Sequence, residues 1–287
     1  MKKELTVQIQ IYIEKNTTKP ITLQQLSKAL NYSPYYISRV FKEITGQNIF
    51  EYIRRIRLTH AAKILRDQDV KVLDVALDFM FDSHEGFTRA FSKTFDITPK
   101  SYQLSPQPIQ YFTPYLIEIE KKEEIKMEAK PIFVQIIERP KRKAIIKRAK
   151  TATEYFTYCE EVGCDVWGML TSVKEALNEP MGIWLPKSLI KPNTSLYVQG
   201  VEVPENYQGI VPESFDIIDL PACELVIFQG EPYDDQDFRS QIGFIMKSIE
   251  KYNPVVYGFS YDPNGYRFQY EPQGYRGYIE GRVIHRI

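Results

Sequence analysis

The chain has 287 residues, 43% of them hydrophobic and 26% charged, with 37 Lys+Arg against 37 Asp+Glu. This is a globular composition long enough for two cores. It holds no run near the ~18 apolar residues of a membrane span, too few cysteines (Cys159, Cys164, Cys223) for a disulfide scaffold, and no histidine pairing that suggests a metal site. Taken whole, the zero net charge argues against a nucleic-acid partner. The start, Met1-Lys2-Lys3-Glu4 followed by Gln8, Gln10 and Glu14, does not read as a signal peptide, so a cytoplasmic location without membrane attachment is expected.

The first hundred residues carry a helical period. Leu5, Ile9, Tyr12 and Ile13 mark an amphipathic helix. Thr22 with Gln25 three residues on is a capping box that opens a short helix through Leu30. After the turn Asn31-Tyr32, Ser33 is the cap and Pro34 the first residue of a helix that ends at Gly46. Ile37, Val40, Phe41 and Ile44 share its inner face, and Tyr35, Ser38, Arg39 and Lys42 its outer one. Short helix, tight turn and second helix form the spacing of a helix-turn-helix. The pattern recurs fifty residues on: Leu73, Ser83, Phe87, Arg89 and Phe91 repeat Leu23, Ser33, Ile37, Arg39 and Phe41, in helices predicted over Val72–Met80 and His84–Phe95. A long helix over Phe50–Arg66 joins the units, with Ile53, Ile56, Ile64 and Leu65 inward. At ~1.5 Å per residue it spans about 25 Å and can hold two recognition helices about one DNA turn apart.

Charge follows this division. Residues 1–104 hold 16 Lys+Arg and 11 Asp+Glu, and the remainder 21 and 26. Ser105-Pro106-Gln107-Pro108, Pro114 and the charged run Glu118–Lys130 predict a linker over 105–130. Beyond it the period shortens. Strands are predicted at Ile132–Glu138, Lys143–Ala149, Gly182–Leu185 and Ser195–Val203, with helical pieces at Thr153–Val162 and on a face of Val166, Leu170, Val173 and Leu177. A second cycle follows: strand Cys223–Gln229, a helix marked by Phe238, Ile242, Ile245 and Ile249, then strands Val256–Ser260, Tyr266–Glu271 and Gly277–Ile284. Pro140 and Pro221 open corresponding strands. The expected fold is an all-α domain (two helix-turn-helix units joined by a long helix) followed by an α+β domain of duplicated β-α-β-β over 131–287.

The segments Tyr32-Ser33-Pro34-Tyr35-Tyr36-Ile37-Ser38-Arg39-Val40-Phe41-Lys42 and Phe81-Asp82-Ser83-His84-Glu85-Gly86-Phe87-Thr88-Arg89-Ala90-Phe91, closed by Thr98-Pro99, resemble the AraC/XylS family of transcription regulators, Rob type, over residues 5–104. The resemblance implies double-stranded DNA as partner, binding as a monomer, and RNA polymerase as a further partner. By position, it puts Tyr35, Ser38 and Arg39 on base edges in one groove segment and His84, Glu85 and Arg89 in the next. The arginines fit that role chemically, since a guanidinium pairs bidentately with guanine. Lys42, Arg54, Arg55, Arg57 and Lys93 are the candidates for phosphate contacts. Three departures stand out: Ser38 and Glu85 replace longer amides, Gly86 weakens the first turn of its helix, and Met80 replaces the glycine common before Phe81.

Gly182-Ile183-Trp184-Leu185-Pro186, Pro221-Ala222-Cys223-Glu224 and Arg276-Gly277-Tyr278-Ile279-Glu280 resemble the GyrI-like effector-binding domain, over about 131–287. That resemblance implies a cleft between the repeats for a small amphipathic or cationic organic effector. Its aromatic lining is drawn from Trp167, Trp184, Tyr197, Phe228, Tyr257, Phe259, Tyr270 and Tyr278. A carboxylate is expected from Glu280, with Glu202, Glu224 and Glu271 as rivals. No catalytic residue, cofactor or metal is assigned. The alternative is a GyrI-like small-molecule hydrolase fused to a DNA-binding domain, with Glu280 and Tyr278 or Tyr257 as general-base machinery. An alkyl-transfer repair protein would need an activated cysteine, and none of the three has a histidine or cationic cluster beside it in sequence.

Overall fold

A computed structural model of the chain describes residues 1–114, 131–234 and 237–287. The charged stretch Glu118–Lys130 lies outside the described residues. The chain divides into two compact units, Met1–Lys121 and Lys122–Ile287.

Capping chemistry sets the helices of the first unit. After α1 (Lys2–Lys15), Thr22 Oγ1 accepts from the Gln25 amide at 3.2 Å and Gln25 Oε1 from the Thr22 amide at 2.8 Å, opening α2 (Leu23–Leu30). Ser33 caps α3 (Pro34–Thr45), which ends on Gly46 at φ 72°, and Asn48 caps α4 (Ile49–Asp67). The second cycle uses the same grammar. After α5 (Val72–Asp78), Ser83 caps α6 (His84–Phe95), Asp96 takes the left-handed place of Gly46 at φ 56°, and Thr98 caps α7 (Pro99–Leu104) as Asn48 caps α4. Two cores result. Leu5, Ile9 and Ile13 meet Leu26, Ile37, Phe41 and Tyr52 in one. Val75, Ala76, Phe87, Phe91 and Tyr102 form the other around the later turns of α4.

The chain after α7 does not leave this unit at once. Ile109 and Tyr111 are buried in the second core, and the Tyr111 hydroxyl lies 2.9 Å from that of Tyr102. Phe112 sets its ring edge-on to Tyr52 at 5.1 Å, and its amide donates to Thr59 Oγ1 at 2.9 Å. Tyr52 and Tyr102 are equivalent under the fifty-residue repeat, so residues 109–112 fasten the two cores together across α4. The prolines that suggest a linker hold an extended run that packs.

Among the described residues, the second unit is a nine-stranded sheet in which every pairing is antiparallel. Its elements are β1 (Ile132–Arg139), β2 (Arg142–Arg148), α8 (Tyr155–Glu161), α9 (Val166–Thr171), β3 (Met181–Trp184), β4 (Tyr197–Pro204), β5 (Asp216–Leu220), β6 (Cys223–Gly230), α10 (Phe238–Lys251), β7 (Phe259–Tyr261), β8 (Arg267–Tyr270) and β9 (Ile279–Arg286). The order is β1-β6-β9-β8-β3-β4-β2-β5, with β7 on β9. The order is unchanged when β1, β6, β9 and β8 are exchanged for β5, β2, β4 and β3. Each edge strand therefore pairs with an inner strand of the other cycle: β1 with β6, and β5 with β2.

Several expectations shift. β5, with acids at Asp216 and Asp219, is a strand that the sequence pattern does not announce. The predicted strand Val256–Ser260 is a 3-10 turn, Pro254–Tyr257, followed by β7. The helix face expected to reach Leu177 stops at Thr171, leaving Leu177 46% exposed.

Two hydrophobic layers sandwich the sheet. Ile145, Tyr197, Val201 and Val203 pack with Tyr158 of α8 and Leu170 of α9, while Val226, Phe228, Tyr278 and Ile284 pack with Ile245 and Ile249 of α10. Residues of opposite parity, among them Ile146, Ile183, Leu225 and Phe268, form a core on the other face.

Candidate nucleic-acid interface and effector cleft

Both candidate recognition helices present polar residues outward because their apolar positions are consumed by the cores. On α3, Tyr35 is 76% exposed and Arg39 is exposed, its guanidinium 5.4 Å from the Tyr36 ring centroid. Ser38 is half-buried and Lys42 exposed. On α6, His84, Glu85, Arg89 and Lys93 are exposed. Gly86, expected to weaken this helix, is where the cap forms: Ser83 Oγ accepts from its amide at 3.0 Å, and a Cβ at 86 would stand 3.1 Å from that oxygen.

A cleft of about 560 Å³ lies within the first unit, between α4 and the second helix-turn-helix repeat. Arg54 and Arg57 of α4 line it opposite Ser83, Arg89 and Lys93. Four cations over one concave surface suit a phosphate backbone. Arg57 is also tied to the fold, donating to the carbonyls of Thr17 at 2.9 Å and Lys19 at 2.7 Å. Burial pulls the guanidinium pKa of Arg55 and Arg57 below its ordinary value. Arg55 is not brought to the cleft. One residue turns a helix by about 100°, so its guanidinium lies 4.0 Å from the Phe112 ring centroid and donates to Gln47 at 3.3 Å.

In the second unit, register brings part of the expected set together. Gln199, Gly182, Gln269 and Glu280 form one row across β4, β3, β8 and β9, and Tyr197, Trp184, Arg267 and Arg282 the next. These rows lie at the centre of the face that carries α8, α9 and α10. Glu280 is fully buried and doubly paired: Oε2 accepts from Arg267 Nη2 at 2.7 Å and the Tyr278 hydroxyl at 2.9 Å, and Oε1 from Arg282 Nε at 2.7 Å. The Arg267 guanidinium also lies 4.1 Å from the Trp184 ring centroid. Burial, then the neighbouring Glu280 charge, pushes the Tyr278 phenol well up.

The other candidates lie elsewhere. Phe228 and Phe259 are core beneath α10. Tyr257 is 63% exposed and stacked on Tyr252. Tyr270 packs on the opposite face, its hydroxyl accepting from Arg139 at 3.0 Å. Trp167 is half-buried on α9, whose buried positions are Val166, Gly168 and Leu170. Among the rival carboxylates, Glu202 is buried with Arg142 at 2.7 Å, Arg139 and Asn178. Glu224 pairs with Arg286, and Glu271 accepts from Gln273 at 3.3 Å. Gln199, Arg267, Gln269 and Arg282 join the site without having been expected there. Arg282 has a sequence signal, since a residue two along a strand from Glu280 faces the same way.

The cysteines need one correction. Cys223 has a cationic neighbour, Arg142 Nη2 at 3.8 Å, contributed by a distant strand. Burial pushes the Cys159 thiol up to about 12, opposite to the direction a nucleophile needs.

Two outward-facing helices of equivalent placement, fixed to one shared helix that lines a basic cleft, define a DNA-binding domain of the doubled helix-turn-helix class. Relatives in sequence agree. A family described as a helix-turn-helix domain matches residues 26–105. The chain is 40% identical over 97 residues to the Right origin-binding protein of Escherichia coli (strain K12), covering 34% of each chain, so it spans about a third of that relative's length. It is 37% identical over 98 residues to the HTH-type transcriptional activator AarP of Providencia stuartii, covering 34% of this chain and 73% of that protein. A solved transcriptional regulator with an AraC-type DNA-binding domain, from Chromobacterium violaceum, covers 36% of this chain and 95% of its own, at 21% identity and a TM-score of 0.34. The chain belongs to the AraC family of helix-turn-helix transcription regulators.

Proposed function

We propose that the chain binds duplex DNA as a monomer, placing α3 and α6 in successive major-groove segments, and acts as an activator that engages RNA polymerase. Arg39 and Arg89 carry this reading. They occupy equivalent positions on the outer faces of the two recognition helices, and neither is buried. Tyr35, Ser38 and Arg39 read one segment; His84, Glu85 and Arg89 read the other. Lys42, Arg54 and Lys93 take phosphates, and Arg57 adds charge to the cleft while bracing the loop after α1. Arg55, stacked on Phe112, is left out of the phosphate set.

The test is binding to operator DNA selected from random sequence. Arg39→Ala should relax preference in one half of the site and Arg89→Ala in the other, each by about 1–3 kcal/mol. Weak, salt-sensitive binding should persist in both. Unaltered preference in both variants would defeat the assignment.

The second unit is proposed to be a GyrI-like effector domain, its cleft lined by Trp184, Tyr197, Tyr278 and Glu280. Support comes from the sheet order and from the half-exposed strip of Trp184, Arg267 and Gln269 between the layers that pack with α8–α9 and with α10. A library thermal-shift assay, repeated with operator DNA, tests it: a ligand should raise the second unit's stability and change DNA affinity. The hydrolase reading is less well supported, because both oxygens of Glu280 are already engaged by Arg267, Arg282 and Tyr278.

A further inference from the structure

The effector role of the second unit, on which the choice of ligand class rests, leads one to expect a cation held by a carboxylate. The strip is built for something else. Its one buried carboxylate faces two guanidiniums, so Arg267, Arg282 and Glu280 together leave an excess positive charge. The nearest aromatic face, that of Trp184, already lies against one of those guanidiniums. An incoming cation meets repulsion and no free counter-charge.

What the strip leaves open is hydrogen bonding. Gln199 is 1% exposed, and neither its amide nitrogen nor its amide oxygen has a partner. The hydroxyl of Tyr197, two residues away on the same face and fully buried, has none either. Across the register from Gln199 stands Gly182, over which the Tyr197 ring lies so closely that a Cβ at 182 would come within 2.2 Å of the hydroxyl oxygen. The absent side chain is what lets Tyr197 reach the centre of the sheet. Beside them across the register, Trp184, Arg267 and Gln269 are half-exposed.

The unpaired amide presents one donor and one acceptor side by side. A carboxylate would answer only the donor and leave Gln199 Oε1 bare; a cation answers at most the acceptor and is repelled by the guanidiniums. A ring carrying adjacent N–H and C=O groups answers both. The geometry points to an uncharged planar lactam as the ligand of this cleft, held edge-on by the Gln199 amide with the Tyr197 hydroxyl beside it.

Three bicyclic probes of one shape separate the charge classes: 2-quinolone (lactam), quinoline-2-carboxylate (anion) and N-methylquinolinium (cation). Each would be titrated calorimetrically into the full chain. 2-Quinolone should bind tightest, and Gln199→Leu should weaken it about tenfold, the worth of two hydrogen bonds. The same variant should leave the ligand-free melting temperature unchanged or raised, because leucine removes an unpaired buried amide, so a loss of binding is not read as a loss of fold. Glu280→Gln serves as the second variant. Tighter binding of N-methylquinolinium, lost in Glu280→Gln, overturns the lactam assignment and keeps the effector reading. Preference for the carboxylate, or 2-quinolone binding unmoved by Gln199→Leu, also overturns it. So does no binding of any probe, in which case the effector reading is decided separately by the library assay with operator DNA.

Discussion

Met80 closes α5 in a conformation made for another residue. Its φ is 63°, and the Phe81 amide reaches back to the Ala76 carbonyl at 2.9 Å, the wrapped helix end in which glycine usually takes the left-handed place. A side chain there costs about 1–2 kcal/mol, while glycine returns about 0.5–1 kcal/mol through the freedom of the unfolded chain. Met80→Gly should therefore stabilise the first unit by about 0.5–1 kcal/mol. Denaturation followed by far-ultraviolet circular dichroism would show it, with tryptophan fluorescence unmoved, since both tryptophans lie in the second unit.

Glu161 makes the clearest pH prediction. Its carboxylate accepts from the Thr151 hydroxyl at 2.7 Å and from the amides of Lys150, Thr151 and Ala152, which holds its pKa at about 2 against an ordinary 4.5. A depressed value means stability that is present above 4.5 and lost as pH falls toward 2. Glu161→Gln should be less stable than the parent at neutral pH, and the gap should close across that acid window. A gap independent of pH in urea denaturation would show that the carboxylate charge is not the cause.

Among the elements, the short strap 109–112 is the least conspicuous in sequence and the most connected in space. Phe112→Ala removes the ring that Tyr52 and Arg55 both touch. Because the ring is only half-buried, the cost should be about 2 kcal/mol, below the roughly 3–5 kcal/mol of a core phenylalanine. Tyr111→Phe loses only the hydroxyl pairing with Tyr102, about 1 kcal/mol. Both are read by the helical melting transition.

The contrast in legibility follows from range. The short helix α2 and both recognition helices are announced by groups within four residues: Thr22 with Gln25, Ser33 with Tyr36, Ser83 with Gly86. The strap is not, because its partners Tyr52 and Thr59 lie far back along the chain. In the sheet, alternation shows a strand and its two faces but never its neighbour, so the pairing of β1 with β6 has no local signature. Trp184, Tyr197, Tyr278 and Glu280 were legible as residue types. That Arg267, one strand away, neutralises Glu280 was not.

For the second unit as a whole, the decisive residue is Arg142. The two links between edge and inner strands pass beside each other at Pro140 and Pro221, and Arg142 Nη1 donates to both carbonyls, at 2.9 and 3.2 Å. Its Nε holds Glu202, and its Nη2 the Tyr266 hydroxyl. Buried ion pairs are worth little net, but breaking one is costly. Arg142→Met should destabilise the unit by about 3–5 kcal/mol, read by tryptophan fluorescence in denaturant. Adding Glu202→Leu should recover part of that loss; no recovery would place the cost in the two carbonyls.

The reciprocal placement of β1 and β5 has a further effect. Either cycle taken alone lacks its outer strand and carries one that fits the other. If a protease cut the connection 205–215, the two fragments would stay clasped by β1 on β6 and β5 on β2. A single cycle made alone would have to borrow its missing strand from a second copy, so the unit is built like a strand-swapped dimer whose subunits have been joined into one polypeptide.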